Sequence, residues 1–199
     1  GPLDVLVNNA GVMPIGAMAE ETEQIRDLIL DVNVRGVLNG MHAVIPGMVQ
    51  RRQGHVVNVA SMAGMIPIPG MVTYNASKFA VVGASLAARQ EYAGAGIAVS
   101  VILPSAVRTE LSSGAPLGRG MPTVDPDEVA AAILRVVRSR VARRSVPRWV
   151  APAWEARGWF RCPILILSLF PSPRRPGSWA PWVCSCSWLS WPGAACARP

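Results

Sequence analysis

The stretch HVVNVAS at residues 55–61 decides the fold class of this chain. Its three valines are β-branched, and Gly54 and Ser61 bound the run, so the pattern predicts a short buried strand. Two similar apolar runs lie on either side of it, at residues 3–7 and 97–103, and predict two further buried strands. The chain therefore has three candidate strands for the core of one sheet.

The segments between these strands have helical patterns. Residues 20–31 begin with acidic side chains and repeat apolar residues at helical spacing, and a second helix is predicted to follow and to end near Gly54. Residues 73–92 are rich in Ala and other strong helix formers, and Gly94 and Gly96 close this stretch. The order strand, helix, strand, helix, strand predicts an α/β fold with a parallel sheet and helices packed on its faces.

The next part of the chain is predicted to continue this fold. Residues 105–122 are polar and rich in Gly and Pro, which indicates a loop over the end of the sheet. Asp125 and Pro126 form a strong helix start, with an N-cap aspartate and a proline at the first helical position, and the helix should run to about Arg140. Residues 145–147 then predict one further edge strand.

Composition divides the chain into two parts. The length of 199 residues and the hydrophobic share of 51% suit one domain of ordinary size. Residues 1–150 carry fourteen basic and eleven acidic side chains, a net charge of +3, whereas residues 151–199 carry +4 of the total of +7. All four cysteines and all seven tryptophans lie from Trp149 onward. We therefore expect a folded domain over residues 1–150 and an atypical Trp/Cys/Pro/Arg-rich tail over residues 151–199.

These features argue against several classes of function. Over half of the net positive charge lies in the tail. The overall charge therefore does not indicate a nucleic-acid partner for the folded part. The cysteine-free first part offers no thiolate metal site, and His42 and His55 have no partner at ligand spacing, so we predict no metal site. The longest apolar run, residues 164–170, is far below the ~20 residues of a membrane span, and no signal-peptide pattern is present. We expect a cytoplasmic protein without a membrane partner.

Tyr74 and Lys78 form the pattern with the clearest chemical meaning. Four residues apart in a helix, the two side chains lie on one face, one turn apart. A phenol has an ordinary pKa of ~10, and a nearby ammonium favours the phenolate and lowers that pKa. A tyrosine beside a lysine can therefore act as a general acid or base, although such a pair taken alone usually forms a solvated helix face. Lys78 is also the only lysine in the chain, against eighteen arginines.

Ser61 directly follows the central predicted strand. The carboxyl ends of parallel strands form the crevice that binds ligands in sheets of this type. The hydroxyl of Ser61 is therefore placed to hold a carbonyl oxygen.

Four motifs occur in an order that resembles the short-chain dehydrogenase/reductase family. Asn8-Asn9-Ala10-Gly11 is similar to the family's NNAG loop, Asn33 matches its helix-bound asparagine, Ser61 precedes Tyr74 by thirteen residues, and Tyr74-Asn75-Ala76-Ser77-Lys78 matches its YxxxK motif. The resemblance covers residues 3–150. It implies a Rossmann-type doubly wound parallel sheet that is N-terminally truncated, because the first strand here matches the family's fourth.

The resemblance implies a role for each motif residue. Tyr74 is the general acid/base that protonates a carbonyl oxygen or deprotonates an alcohol while hydride moves to or from a nicotinamide. Lys78 lowers the pKa of Tyr74 and binds the nicotinamide ribose, Ser61 orients the substrate oxygen, and Asn33 holds a water that relays protons to Lys78. The implied cofactor is NAD or NADP. The residues implied to bind it are Asn8, Ala10, Gly11, Tyr74, Lys78, Pro104, Val107 and Thr109.

The segment Pro104-Ser105-Ala106-Val107-Arg108-Thr109 stands where the family has PGxVxT, which contacts the nicotinamide carboxamide and the phosphates. Ser105 replaces the usual glycine, whereas the other positions of the pattern fit. Residues 108–121 would form a substrate lid. Residues 62–70 would line the substrate side, which fits either an apolar alcohol or carbonyl substrate or ordinary packing under the lid.

The family opens with a glycine-rich turn and three strands that bind the ADP half of the cofactor and select NAD or NADP, and these would lie upstream of Gly1. Without them, residues 3–7 would form an exposed apolar sheet edge, and such edges aggregate. We therefore expect the chain alone neither to fold stably nor to turn over substrate; soluble protein with NAD(P)-dependent alcohol oxidation would contradict this. For a full-length parent, the resemblance implies a homo-oligomer, a dimer or tetramer, built through the long helices.

Two other functions stay open from the sequence. One is a non-catalytic scaffold remnant, against which the intact Ser61, Tyr74 and Lys78 argue. The other is a membrane-surface protein, which would depend wholly on the tail. That tail is consistent with an out-of-frame translation of GC-rich coding sequence, with a basic Trp-bearing interfacial anchor, or with a thiol metal site, although its cysteine spacings do not form two ligand pairs.

Overall fold

A parallel sheet with helices on both faces forms the core of the chain. The computed structural model describes residues 1–109 and 122–151, all of which lie in one compact unit. The strands are β1 Val5–Asn8, β2 Gly54–Val59, β3 Ile97–Pro104, β4 Ala106–Val107, β5 Thr123–Val124 and β6 Arg143–Val146. The helices are α1 Glu23–Leu30, α2 Gly36–Arg51, α3 Val72–Tyr92 and α4 Pro126–Ser139, with short 3-10 turns at Met18–Glu20, Met62–Gly64 and Ala93–Ala95.

Four of these strands form one parallel sheet in the order β1-β2-β3-β6. Val5 pairs with His55 across β1 and β2, and Gly54 pairs with Ile97 across β2 and β3. Every residue of β2 and β3 is buried, as is typical of central strands in a sheet covered on both faces. The short strands β4 and β5 form a separate parallel pair. The prediction of an α/β fold with a parallel sheet is confirmed.

Alternate side chains of the central strands enter two different cores, because successive side chains of a strand point to opposite faces. The side chains on the face that packs with α2 and α3 are Val56, Val99, Val101 and Leu103. The side chains on the face that packs with α4 are Val57, Val59 and Ile102. The sheet therefore buries apolar surface on both sides, which is the doubly wound arrangement expected for this chain.

The two helices predicted between the first two strands are joined without a break. A π-helical turn at Asp31–Arg35 connects α1 to α2, and it carries Asn33, which is completely buried. A π turn inserts one extra residue into a helix and is often found at functional sites. The sequence pattern indicated the helical residues, but it did not indicate this turn.

The continuous helix Glu23–Arg51 is long and apolar enough, by length and composition alone, to cross a membrane, with a mean hydropathy of 1.2 over 18 residues. Its residues Ile29, Met41, Ile45 and Met48 are buried. Three of them, from Met41 to Met48, belong to the core that also contains Val56 of the sheet. We therefore interpret it as a core helix of the α/β domain.

The first strand lies at the edge of the sheet, as expected. Among the residues that the structure describes, β1 pairs with β2 alone, and Leu3 and Val7 beside and within it are 48% and 39% exposed. At the other end of the domain, Val150 and Ala151 are buried in the main core. The predicted domain boundary at residue 150 stays a prediction, because residues 152–199 lie outside the described part of the chain.

Candidate active site

A cavity of about 500 Å³ lies at the carboxyl ends of β1, β2 and β3 and is also lined by residues of α3 and α4. Three of the four predicted catalytic residues line it: Ser61, Tyr74 and Lys78. Further predicted cofactor-binding residues that line it are Gly11, Pro104, Val107 and Thr109. The topology thus brings together residues that are almost a hundred positions apart in the sequence.

Tyr74 and Lys78 lie on one face of α3, and both are 6% exposed. The Nζ atom of Lys78 lies 5.6 Å from the centroid of the Tyr74 ring, a distance at which an ammonium and an aromatic face attract each other. Nζ also donates to the carbonyl oxygen of Val59 at the end of β2, at 3.4 Å. This pair is therefore a buried unit between helix and sheet, and the solvated-face interpretation of the spacing does not hold.

Burial changes the pKa values of both groups. The pKa of Tyr74 is raised, chiefly because burial disfavours the phenolate, and a hydrogen bond with Ser61 acts in the opposite direction. The pKa of Lys78 is lowered to about 8 because burial disfavours the ammonium. Lys78 is not among the causes of the Tyr74 shift, so a lowering of the Tyr74 pKa by Lys78 stays a prediction.

Ser61 is held in place by the turn that follows β2. It caps the 3-10 turn Met62–Gly64, and its Oγ accepts a hydrogen bond from the backbone N of Ala63 at 3.1 Å. Ser61 also acts to lower the pKa of Tyr74. Both side chains line the cavity, together with the buried Lys78.

Asn75 organises the wall of the cavity, and no sequence pattern predicted a role for it. Its Nδ2 donates to the backbone oxygens of Ala63 and Ile66 at 2.6 and 2.7 Å, and its Oδ1 accepts from the backbone N of Ile68 at 3.0 Å. These bonds tie the loop after Ser61 to the first turn of α3. An asparagine within a predicted helix is the sequence signal that could have indicated this role, since Asn is a poor helix former.

Replacing Asn75 with Ala should lower the free energy of unfolding by about 2–4 kcal/mol, because three backbone groups of the loop lose their partner. Urea denaturation measured by circular dichroism checks this. Asn39 in α2 is exposed, so Asn39→Ala is the matched control and should change stability by less than about 0.5 kcal/mol. Equal stability of the two variants would contradict the proposed bracing role of Asn75.

Asn33 lies behind the cavity and braces the loop after β1. Its Oδ1 accepts from the backbone N of Val12, and its Nδ2 donates to the carbonyl oxygen of Val12, both at 2.9 Å. Nδ2 also donates to Oγ of Ser77 at 3.1 Å. The side chain therefore connects the loop to α3 and does not line the cavity; its water-relay role stays a prediction.

Of the remaining predicted cofactor residues, Asn8 ends β1 and Ala10 lies in the loop that follows. Asn8 Nδ2 donates to Oδ1 of Asn58 at 2.8 Å, which turns this side chain towards the core. Asn9, which was not predicted to bind the cofactor, lines the cavity, whereas Asn8 and Ala10 do not. Cofactor binding by Asn8 and Ala10 stays a prediction.

Gly11 and Lys78 offer a direct test of whether a nicotinamide cofactor fits here. A Cβ atom on Gly11 would lie 3.3 Å from Oδ1 of Asn33 and 3.4 Å from Nζ of Lys78, so any larger residue would fill the space beside the ammonium. Lysine has three donor hydrogens, and the long bond to Val59 uses one of them. The residues present therefore fit a ligand that brings hydroxyl acceptors, such as a ribose, against Lys78.

The predicted lid begins beside α4. Arg108 forms a two-pronged ion pair with Asp125, the residue before α4, with its Nε and Nη2 atoms 2.6 and 2.7 Å from the carboxylate oxygens. From residue 110 to residue 121 the lid lies outside the described residues. Among the residues that are described, no group of three or more His, Cys, Asp and Glu side chains could hold a metal ion.

A doubly wound parallel sheet with a ligand cavity at the carboxyl ends of its strands defines the Rossmann class of cofactor-binding proteins. Within that class, the family described as short chain dehydrogenase matches residues 1–118, and the chain belongs to this family of oxidoreductases.

Known proteins that resemble this chain agree with the assignment. Oxidoreductase UcpA of Salmonella typhimurium is 37% identical over 141 residues, which are 70% of this chain and 53% of that protein. The 3-oxoacyl-(acyl-carrier-protein) reductase FabG of Thermotoga maritima is 36% identical over 146 residues, which are 67% of this chain and 58% of that protein. A short-chain dehydrogenase from Sphingobium yanoikuyae, solved in complex with NADPH, superposes with a TM-score of 0.69 at 31% identity, over 78% of this chain and 61% of that one. The chain spans between half and two thirds of the length of these relatives.

Proposed function

We propose that this chain carries the catalytic half of an NAD(P)-dependent oxidoreductase that interconverts an alcohol and a ketone or aldehyde. The observation that carries the proposal is that Ser61, Tyr74 and the buried Lys78 line one cavity, with Nζ of Lys78 5.6 Å from the centroid of the Tyr74 ring. A relative that is solved with NADPH and another that reduces a 3-oxoacyl group support it. The cavity wall includes Met13, Ile68 and Met71, which favours an apolar substrate.

The Ser61 and Tyr74 hydroxyls have different roles at the substrate oxygen. A nicotinamide cofactor, when bound, supplies the hydride or accepts it. Tyr74 donates its proton to the carbonyl oxygen during reduction and takes a proton from the alcohol during oxidation. Ser61 holds the same oxygen through its own hydroxyl, because its backbone is anchored by the turn after β2.

Lys78 has two tasks in this proposal. Its ammonium stabilises the phenolate that forms on Tyr74 when the proton leaves, and its free donors bind the ribose next to the nicotinamide. Gly11 leaves that space open, because a Cβ atom added at this position would lie only 3.4 Å from Nζ of Lys78. Pro104, Val107 and Thr109 form the wall for the nicotinamide end.

We further propose a cytoplasmic protein whose full-length form is a homo-oligomer.

The test uses three hydride donors with a panel of apolar ketones and aldehydes: NADPH, NADH and reduced nicotinamide mononucleotide, which lacks the adenosine half. In a full-length parent we expect loss of absorbance at 340 nm that depends on the carbonyl compound and occurs with at least one of the three donors. The chain alone is expected to be inactive. Absence of both binding and turnover with all three donors in the full-length parent would contradict the proposed function.

A further inference from the structure

A side pocket of about 140 Å³ adjoins the catalytic cavity, and the proposed mechanism does not use it. Its wall comes mainly from the loop after β1 and from the start of α3, and it includes Pro14, Ile15 and Met18. Met71 and Tyr74 line this side pocket and also line the catalytic cavity. The two spaces therefore lie on either side of these two residues.

Met71 is the one of these two residues whose size can differ without a change in the chemistry. It is 5% exposed and packs with Ala63 and Tyr74 in a small apolar cluster, against which Met13 and Ile68 also pack. Tyr74, in contrast, must keep its phenol to act as the acid or base. The volume of the Met71 side chain therefore sets how completely the cavity and the side pocket are separated.

The backbone around Met71 is held by hydrogen bonds. The carbonyl oxygen of Met71 accepts from the backbone N of Asn75 at 2.7 Å, and the carbonyl oxygen of Gly70 accepts from the backbone N of Gly16 at 3.0 Å. Met71 is also the N-cap residue of α3, and its side chain takes no part in capping the helix. A different apolar side chain here should therefore change the available space and leave the start of α3 in place.

The side pocket suits an alkyl group better than a charged one. Two carboxylates belong to its wall, but Glu20 is exposed and Glu21 accepts a hydrogen bond from the hydroxyl of Thr73. Most of the remaining wall is apolar, with Ile25 and Val72 among its members. Burial of an alkyl group against such a wall is favourable, because both surfaces lose their contact with water.

We propose that Met71 determines which ketones the site accepts, because its side chain separates the catalytic cavity from the side pocket. The catalytic cavity holds the carbonyl group and one of its two substituents. The second substituent points past Tyr74 and ends against the Met71 side chain, so a methyl group fits there. A butyl group needs the side pocket beyond Met71. This inference rests on the proposed function, because it requires a carbonyl group at Tyr74.

The experiment compares two ketones that share a phenyl substituent, acetophenone with a methyl group and valerophenone with a butyl group. The wild-type full-length parent should favour acetophenone. The measured quantity is the ratio of kcat/KM for valerophenone to kcat/KM for acetophenone, so a general loss of activity in a variant cancels. Met71→Ala should raise this ratio at least about tenfold, because one methylene group in an apolar pocket changes kcat/KM by about 10- to 200-fold.

Met13 is the matched control, because it lines the catalytic cavity but not the side pocket. Met13→Ala enlarges the cavity without opening the side pocket and should change the ratio by less than about threefold. Met71→Leu conserves the side-chain volume and should keep the ratio within about twofold of the wild type. Met71→Val shortens the side chain less than alanine does and should raise the ratio about threefold, so it provides the test if Met71→Ala fails to fold.

The outcomes separate this inference from the proposed function. If Met71→Ala and Met71→Val reduce both ketones at the wild-type ratio, Met71 does not separate the two spaces, and the oxidoreductase function stands. If Met13→Ala raises the ratio as much as Met71→Ala does, the gain comes from a larger cavity and the role of the side pocket is refuted. If the wild-type parent reduces neither these two ketones nor any other carbonyl compound, the proposed function and this inference fail together.

Discussion

In a full-length parent, Tyr74→Phe should lower kcat/KM for carbonyl reduction by about 10²- to 10⁴-fold, the range that a positioned general acid contributes. It should leave the affinity for the reduced cofactor within about twofold of the wild type. The substitution removes only the phenol hydroxyl of a residue that lines the cavity with Ser61. The ring stays, so its contact with the Lys78 ammonium at 5.6 Å is retained. Loss of turnover without loss of binding is the expected signature of a group that acts in the transition state.

Tyr92 provides the matched control, because it is the only other tyrosine in the chain and lies at the end of the same helix. Tyr92→Phe should leave turnover unchanged. Initial rates at 340 nm and a fluorescence titration of the reduced cofactor separate the two effects for each variant. Turnover by Tyr74→Phe at the wild-type rate would remove Tyr74 from the mechanism and would favour the scaffold-remnant alternative.

Lys78→Met should have the second-largest effect, and it has a pH signature. The pKa of Lys78 is about 8 in the folded chain, against an ordinary value of 10.5. Between these two values the unfolded chain binds more protons than the folded chain, so a rise in pH favours the folded state. From pH 7 to pH 9.5 the wild type should therefore gain about 2 kcal/mol of stability relative to Lys78→Met.

Urea denaturation of both chains at pH 7 and pH 9.5 measures this difference, and the contributions of other titrating groups cancel between them. Because Lys78 is the only lysine, ¹³C-labelled lysine also gives a single side-chain NMR signal whose titration reports its pKa directly. Lys78→Met should in addition weaken binding of reduced nicotinamide mononucleotide by about tenfold or more, the loss expected for a charge-assisted hydrogen bond. A pH-independent stability difference would contradict the burial of this ammonium.

The sequence predicted the sheet well because its signals are local. Runs of valine bounded by glycine or serine, such as the run around Val57, indicate buried strands whatever surrounds them. The helix from Asp125 was predicted for the same reason: an aspartate, a proline and an acidic first turn satisfy free backbone groups within a few residues, and the backbone N of Asp125 indeed donates to Glu128 at 3.0 Å. The π turn around Asn33 was missed because it depends on contacts with Val12 and Ser77, which are far away in the sequence.

The same distinction between local signals and long-range contacts applies to the candidate site. The sequence by itself determined the identity of the reactive groups. The spacing of Tyr74 and Lys78 places them on one helix face, and Ser61 follows the end of a strand. Only the tertiary structure decided their environment: it buried Tyr74 and Lys78, shifted the pKa of each towards its neutral form, and left the hydroxyl of Ser105 without a partner. The physical reason is that chemical identity and helical spacing are properties of the chain, whereas loss of water depends on every element packed around a group.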